Sequence, residues 1–408
     1  MSITRPFSGS EIALARSPAV RPAIVALMAF FTVVDLFATQ AILPMVAAAY
    51  RVSPSAAGMA VNACTLGMAV AGLATALFSR RIDRRYGVVA SLVLLAVPTS
   101  LLALAPDLEV FTLLRVMQGL CMSTAFTLTL AWLGERSSAG GTSAGQAGAF
   151  AAYITGNVAS NLVGRLIAAT VTDSFGLAGN FYLFAGLNLA GAALAWVAMR
   201  GAPAPAVTAT GPSALLSSRL RQLCSMPLLS GFGIGFCILF AFIGVFTYVN
   251  FVLVRPPLDL SMMSVGFVYF VFLPSILLTP LAGGIAGRWG ARPALWTGLG
   301  VAALGLPLLL SPILAGVLLG MVLVGAGTFF AQATATGFVS RAATTDRAGA
   351  SGIYLAAYFS GGLVGSAALG QAFDRFGWPA SVAGVALALA VAAILGINLK
   401  TASEPANR

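Results

Sequence analysis

One acidic residue lies deep inside an apolar stretch of this sequence. Of the 11 Asp and Glu residues, Asp35 alone falls well inside a segment long enough to cross a membrane. A carboxylate at that depth is costly, and a low-dielectric environment favours its uncharged form. Because such a group can bind and release a proton as its access to water changes, Asp35 is the predicted proton-coupling residue. A permanent structural pairing with a neighbouring helix is the alternative.

Arg115 is the predicted partner of Asp35. It shares one helical face with Gln118 and Gly119, and the chain directions place it at the depth of Asp35. A contact that changes between two conformations would link proton occupancy to conformation. The second half of the sequence has no matching acid or base, so we assign proton coupling to the first half; a purely structural cation is the other interpretation of Arg115.

Polar side chains recur at every fourth residue of another apolar segment, at Tyr153, Asn157, Asn161 and Arg165. Lipid disfavours such a stripe, which must therefore face protein or an aqueous cavity. Tyr354 and Tyr358 form a similar pair late in the chain. We expect these residues to bind substrate, together with the weaker candidates Asn62, Gln118, Tyr248, Asn250 and Gln332. Hydrogen bonding between helices is the alternative.

Composition identifies the kind of protein that positions these residues. Hydrophobic residues make up 59% of the 408 and charged residues 8%, whereas soluble domains have about 25% charged residues. The chain is therefore predicted to be an all-α, polytopic membrane protein. The apolar segments predict 12 transmembrane helices at about 23–43, 56–78, 88–105, 110–133, 147–171, 181–199, 228–253, 263–284, 293–310, 314–338, 350–371 and 380–399.

The basic residues predict orientation and not a nucleic-acid partner. The formal net charge is +11, but the arginines are spread over short loops. Only Arg51, Arg255 and Arg375 fall on one side of the predicted membrane, so both termini are placed in the cytoplasm and the protein in the inner membrane. There is no His, and Cys64, Cys121, Cys224 and Cys237 have no ligand spacing, so we expect no metal site and no cofactor.

The sequence also repeats itself. SRRIDRRYG (79–87) has a counterpart in GGIAGRWGAR (283–292), and AAYITGN (151–157) in LAAYFSGG (355–362). The paired tyrosines are offset by 358 − 153 = 205 residues. A Pro- and Ala-rich connection at 200–226 separates the two copies. We therefore predict an N-terminal six-helix bundle at 1–199, a cytoplasmic linker at 200–226 and a C-terminal bundle at 227–408, pseudo-symmetric and with binding between them.

These loops resemble the major facilitator superfamily. Its signature after the second span is approximately G-x3-D-R-x-G-R-R, against which this chain has Ser79, Asp83 and Arg84, with Arg85-Tyr86-Gly87 shifted by one. The second copy keeps Gly283, Arg288, Gly290 and Arg292 but has Gly287 in place of the acid. LLRVMQG (113–119) is similar to the R-x-x-Q-G motif of proton-coupled exporters, and VDLFATQAILP (34–44) to the first span of drug/proton antiporters. YITGNVASNLVGR (153–165) and ASGIYLAAYFSGG (350–362) resemble the bacterial arabinose-efflux-permease-like branch.

The signature loop suggests a cytoplasmic gate made of Asp83, Arg84, Arg85 and Arg288. Span eleven begins on the cytoplasmic side, so its positive helix end can receive Asp83 across the interface. Such a latch would hold the outward-facing state and break when the halves rock apart. An ordinary solvated turn is the alternative.

Together these features predict an inner-membrane secondary transporter of the major facilitator fold. We expect it to export a small organic solute by proton antiport through alternating access, as a monomer in the lipid bilayer. An uptake symporter or a uniporter on the same fold is the alternative. We do not expect an enzyme, because no nucleophile–base set is visible in the sequence. We also do not expect an ATP-driven pump, because the sequence has no P-loop motif.

Overall fold

The computed structural model describes residues 20–78, 82–105, 107–138, 143–200, 224–279, 281–343 and 347–399. Within those ranges the regular structure is helical and no strand occurs. The first half contains α1 (Val20–Ala41), α2 (Leu43–Tyr50), α3 (Pro54–Asn62), α4 (Cys64–Phe78), α5 (Arg84–Leu102), α6 (Leu108–Ser138) and α7 (Ser143–Ala198). The second half contains α8 (Met226–Leu253), α9 (Met262–Val268), α10 (Leu273–Leu278), α11 (Leu281–Trp289), α12 (Ala291–Gly305), α13 (Leu314–Ala342), α14 (Arg347–Phe376) and α15 (Trp378–Leu395).

The helices confirm a polytopic all-α membrane protein. Ten of those in the described residues are long and apolar enough to cross a membrane, or eleven if the bent pair Met263–Leu278 and Leu281–Trp289 counts as one span. The predicted number of twelve and the cytoplasmic position of both termini stay predictions. So does the division at 200–226, because residues 201–223 lie outside the described part of the chain.

Helix α7 joins two predicted spans. Its 56 residues would extend about 84 Å if straight, well beyond the roughly 30 Å hydrocarbon core. Gly176 interrupts it with φ +72° and ψ −177°, a left-handed backbone conformation that favours glycine. The predicted spans 147–171 and 181–199 fall on the two arms, and the loop expected between them is helical on both sides of this one residue.

Two other predicted spans consist of shorter helices. The span expected at 56–78 is α3 followed by α4, with a turn at Ala63 between them. The span expected at 263–284 is α9, a 3₁₀ turn at Tyr269–Phe272, α10 and the start of α11. Pro274 lies in the first turn of α10, where its missing N–H removes no helical hydrogen bond. Asn62 directly precedes the first break, and Tyr269 lies in the 3₁₀ turn of the second.

Glycine allows the same close helix contact in each half. A Cβ added to Gly156 of α7 would lie 2.0 Å from the Ala26 carbonyl oxygen of α1. One added to Gly361 of α14 would lie 2.0 Å from the Phe236 carbonyl oxygen of α8. These glycines are offset by 361 − 156 = 205 residues, as Tyr153 and Tyr358 are. The two backbones touch in each pair, and only glycine fits there.

Contacts between the halves include those of α4 with α14 and of α7 with α9. Gly72 of α4 packs beside Leu355 and Ala356 of α14, and Gly266 of α9 packs against Ala169 and Leu166 of α7. The buried polar residues of the first and second halves meet between these pairs.

Candidate functional site

The Asp35 carboxylate is buried inside the first half. Asp35 lies on α1, and its side chain is 3% exposed. The Asn188 amide, on the second arm of α7, donates to Asp35 Oδ2 at 2.7 Å. Asn188 Nδ2 also lies 3.3 Å from Thr99 Oγ1 of α5. A neutral amide, and not a cation, is therefore the side chain that binds this carboxylate.

Arg115 is brought next to Asp35 but binds other atoms. Its guanidinium, on α6, donates from Nη1 to the Asp35 backbone carbonyl at 3.4 Å and to Gln118 Oε1 at 2.6 Å. Nε donates to the Val61 carbonyl at 2.9 Å, and Nη2 lies 3.1 Å from Cys64 Sγ. Arg115 therefore lies next to Asp35 as predicted, but it contacts the backbone carbonyl of Asp35 and not its carboxylate.

Gln118 and Thr99 close these contacts into one group, which we call the Asp35 cluster: Asp35, Thr99, Arg115, Gln118 and Asn188. Gln118 Nε2 donates to Thr99 Oγ1 at 2.6 Å. Asn188 Oδ1 is buried without a hydrogen-bond partner among the described residues. That oxygen is an available acceptor beside Asp35.

A second buried guanidinium lies between the halves. Arg165 of α7 is 0% exposed, and it donates to Asn161 Oδ1 at 3.0 Å and to Gln40 Oε1 at 2.5 Å. On the other side it reaches the Phe246 carbonyl of α8 at 3.4 Å and lies 4.4 Å from the centre of the Tyr269 ring. Its charge is therefore stabilised by neutral oxygens and an aromatic face contributed by both halves.

Amides extend this group across the interface. Gln40 Nε2 donates to Asn62 Oδ1 at 2.7 Å. The Asn62 amide donates at 3.1 Å both to Thr247 Oγ1 and to Ser366 Oγ in the second half. Asn250 Nδ2 donates to the Gln40 carbonyl at 2.9 Å, and the Tyr269 hydroxyl donates to Asn250 Oδ1. We call the set the Arg165 cluster: Gln40, Asn62, Asn161, Arg165, Asn250 and Tyr269.

The other predicted substrate residues occupy different environments. Tyr153 is buried in the first half and donates to the Phe126 carbonyl at 3.1 Å. Tyr248 donates to the Ser366 carbonyl at 2.5 Å and stacks on Phe373.

Tyr354 and Tyr358 stack on each other with ring centres 6.1 Å apart. Asn157 and Gln332 are half-buried. The structure thus joins Asn161, Arg165, Asn62 and Asn250 in one cluster and places the tyrosines outside it.

The described contacts of two predicted gate residues, Asp83 and Arg85, are with residues of the first half. Asp83 is the N-cap of α5 and accepts from the Tyr86 backbone N–H at 2.9 Å. Arg85 donates to the Trp196 carbonyl at 3.0 Å and lies over its ring. Arg84 is buried, and Arg288 is exposed. The approach to α14 at residues 344–346, and Arg80, lie outside the described residues, so the latch stays a prediction.

A separate cavity of about 360 Å³ opens at the end of the first half. Its walls include Tyr50, Phe111, Phe181 and a single acid, Asp107. Burial and the charge of Asp107 together raise the pKa of Tyr50 above its usual value. Among the described residues, no three His, Cys, Asp or Glu side chains are placed to hold a metal ion.

Four residues of the two clusters were missed in the sequence: Gln40, Thr99, Asn188 and Tyr269. Each lies in an apolar segment, without the repeated spacing that marks the stripe of α7. A search for isolated amides in apolar segments would have found Gln40 and Asn188. Thr99 and Tyr269 carry no comparable signal, because threonine and tyrosine are common in membrane helices.

The sequence matches known membrane transporters over nearly its full length. The model of the family described as Major Facilitator Superfamily matches residues 25–273 and 257–408. An uncharacterized MFS-type transporter, YybF of Bacillus subtilis, is 24% identical over 89% of each chain. The inner membrane transport protein YnfM of Escherichia coli is 26% identical over 89% of this chain and 86% of its own.

Two solved structures share the fold. A point mutant of the nucleoside transporter NupG superposes with a TM-score of 0.71 at 12% identity, over 94% of this chain and 100% of the other. A bacterial homolog of the human lysosomal transporter Spinster, in an inward-facing and occupied conformation, gives a TM-score of 0.68 at 15% identity, over 93% and 94%. At such low identity the likeness concerns the fold alone.

Proposed function

Because the chain belongs to the Major Facilitator Superfamily, a family of membrane transporters, we propose that it is a secondary active transporter of the bacterial inner membrane. It exports a small organic solute by proton antiport, and the two halves alternate in closing either side of a central site. Asp35 carries the proton, and the residues between the halves bind the solute.

The state of the Asp35 carboxylate is the observation that supports this proposal. The group is buried, yet its side-chain partner is the neutral Asn188 and its neighbour Arg115 is held by other acceptors. A carboxylate locked in a bidentate ion pair would have to give up that pair to accept a proton. Here protonation disrupts amide hydrogen bonds only. Once the amide turns over, Nδ2 gives up its contacts with Asp35 and Thr99, and the orphaned Asn188 Oδ1 can accept from the new carboxyl O–H.

Helix α1 provides a route from proton to conformation. It carries Asp35 in the first cluster and Gln40 in the second, and Gln40 contacts both Arg165 and Asn250. A shift of α1 that accompanies protonation therefore alters contacts that join the halves. Any such coupling can be only as large as the difference in proton affinity between the two conformations.

Substitution of Asp35 by Asn tests the proposal. A thermal-shift screen of sugars, chelates, antibiotics and amino acids first identifies a solute that stabilises the purified protein. In proteoliposomes with an imposed pH gradient, Asp35→Asn should accumulate that solute no better than passive equilibration allows. It should still exchange solute when no gradient is imposed, because the binding site and the conformational change remain.

Asp107→Asn is the matched control. Asp107 is an acid outside the buried clusters that accepts from the Val110 backbone N–H, and Asn preserves this role. Its accumulation should equal that of the wild type. If Asp35→Asn still concentrates the solute against its gradient, Asp35 is not the proton site.

A further inference from the structure

Buried charge in this protein is unbalanced. Among the described residues, one acid is buried, Asp35, against three arginines: Arg84, Arg115 and Arg165. Arg84 is the first residue of α5, and Arg115 lies beside Asp35. None of the described residues that contact Arg165 carries a negative charge. A guanidinium fully removed from water without an anion is costly, so natural proteins rarely keep one without a use.

An unpaired donor lies beside this cation. Asn161 is 0% exposed, and its Nδ2 is buried without a hydrogen-bond partner among the described residues. Because Arg165 Nε donates to Asn161 Oδ1 at 3.0 Å, the amide cannot be reversed to remove the unpaired N–H. The described part of the site therefore has an amide NH2 group without an acceptor, next to a positive charge. An oxygen-rich anion would satisfy both.

The position of the site suits a transported ligand. Two contacts of Arg165, the Phe246 carbonyl and the Tyr269 ring, come from the second half, and both are lost when the halves separate there. Asn157 lies on the same face of α7, about 12 Å away along the axis, and is half-buried. The stripe thus runs from a partly accessible amide to a fully enclosed guanidinium.

We infer that Arg165 and Asn161 bind an oxyanion group, a carboxylate or a phosphate, of the solute, so that the transported substrate is an organic anion. This inference rests on the proposed transport function and names its substrate class. Arg165 provides the charge and a bidentate pair of donors, Asn161 provides the additional N–H, and the aromatic rings around Arg165 contact the apolar part of the solute.

An anionic solute changes the net charge that each transport cycle moves across the membrane. Export of a monoanion in exchange for one proton moves two positive charges inward in each cycle, whereas a neutral solute moves one and a monocation moves none. A membrane potential that is negative inside therefore drives the export of an anion more strongly than that of either alternative.

Charged thiol reagents test the inference without knowledge of the substrate. Asn157→Cys is made in a background where Cys121, Cys224 and Cys237 are replaced by Ala and Cys64 by Ser, since Cys64 accepts from Arg115. Labelling rates are measured with anionic 2-sulfonatoethyl and cationic 2-(trimethylammonio)ethyl methanethiosulfonate. Each rate is divided by that of free 2-mercaptoethanol.

The anionic reagent should be favoured by at least about tenfold, the effect of one unit charge about 12 Å away at an effective dielectric constant of about 20. Arg165→Gln should abolish the preference, and Arg165→Lys, which keeps the charge, should preserve it. A preference of the wild-type background for the cationic reagent, an anionic preference that is unchanged in Arg165→Gln, or no labelling by either reagent overturns the inference.

The solute screen provides the second readout. Solutes that stabilise the wild type should be carboxylates or phosphates, and comparison of each class shows which oxyanion the site prefers. Arg165→Gln should lose this stabilisation, while Asp35→Asn should retain it. A neutral or cationic solute that stabilises the wild type and Arg165→Gln alike contradicts the anion site but leaves proton coupling intact. Normal gradient-driven accumulation by Asp35→Asn contradicts the proposed proton coupling and leaves the anion site intact.

Discussion

The first arm of α7 and helix α14 pack in the same way but carry different chemistry. Gly156 and Gly361 each bring the helix against a backbone carbonyl of a neighbouring helix, Ala26 in one half and Phe236 in the other. Both helices also carry a buried tyrosine three residues before the glycine. At the same offset of 205, however, Asn157, Asn161 and Arg165 of α7 correspond to Gly362, Ser366 and Gly370 of α14.

The two helices therefore share a packing contact and differ in their polar side chains. The glycine contacts set the distance between helices and are needed twice, once in each half. At the three compared positions, amide and guanidinium groups occur on α7 only, whereas α14 has two glycines and Ser366. Ser366 Oγ accepts from Asn62 of the first half at 3.1 Å. The second half thus completes the Arg165 cluster with neutral polar groups and an aromatic ring, and its described residues supply no charge to it.

Alanine at the two glycines should give the largest effect. In Gly156→Ala and Gly361→Ala the new Cβ meets a backbone carbonyl at 2.0 Å, which cannot rotate away as a side chain can. We expect each to lower the free energy of unfolding by about 3 kcal/mol, seen as a similar fall in Tm in a thermal-shift measurement.

Gly186→Ala is the control for those variants. Gly186 is on the second arm of α7, and nothing lies within 4 Å of its added Cβ. This substitution should be neutral or slightly stabilising, since alanine favours a helix by about 1 kcal/mol over glycine. A large loss in Gly156→Ala with none in Gly361→Ala would show that the two contacts are not equivalent.

The fold could be predicted from the sequence because the bilayer imposes it. Apolar length reports on one segment at a time, and that information is sufficient to identify a helical membrane protein. The orientation that the loop arginines indicate stays a prediction. The position of the helix breaks was less predictable. The turn at Gly176 falls between the predicted spans 147–171 and 181–199, but the sequence did not show that a single residue with positive φ makes it.

The site was predicted in part for a related reason. Spacing along a helix finds side chains that share a face, as it did for Asn161 and Arg165 and for Arg115 and Gln118. It does not show which neighbouring helix that face meets. The pairing of Asp35 with Asn188, 153 residues away in the chain, depends on the packing of α1 against α7, which one sequence does not specify.

Substitutions at Asp83 should give an intermediate effect. They test the comparison of the two halves at another place, the loops that hold Asp83 and Gly287. The first-half loop has Asp83, for which we propose a latch onto the start of α14, whereas the second-half loop has Gly287 at the matching place. Asp83 also caps α5. Because Asn caps as well as Asp does, Asp83→Asn removes the charge alone, and Asp83→Ala removes the cap as well.

If the latch exists, Asp83→Asn should lengthen distances between spin labels on the two cytoplasmic rims in double electron–electron resonance, with little change in Tm. Asp83→Ala should show the same lengthening and an added loss of about 1 kcal/mol. Unchanged distances in Asp83→Asn, with transport intact, would leave Asp83 as a helix cap only.

Removal of the two tyrosine hydroxyls should give the smallest effects, of opposite kinds. Tyr153 donates to the Phe126 carbonyl at 3.1 Å within its own half, so Tyr153→Phe should cost about 0.6 kcal/mol of stability, the average for such bonds in membranes, and leave the KM for transport unchanged. The Tyr358 hydroxyl has no hydrogen-bond partner among the described residues, and its ring stacks on Tyr354. Tyr358→Phe should therefore keep the Tm of the wild type and raise KM several-fold, if that hydroxyl contacts the solute. Thermal shifts and transport kinetics on the two variants, measured side by side, decide between these roles; a fall in Tm for Tyr358→Phe with unchanged KM would place both tyrosines in the duplicated scaffold.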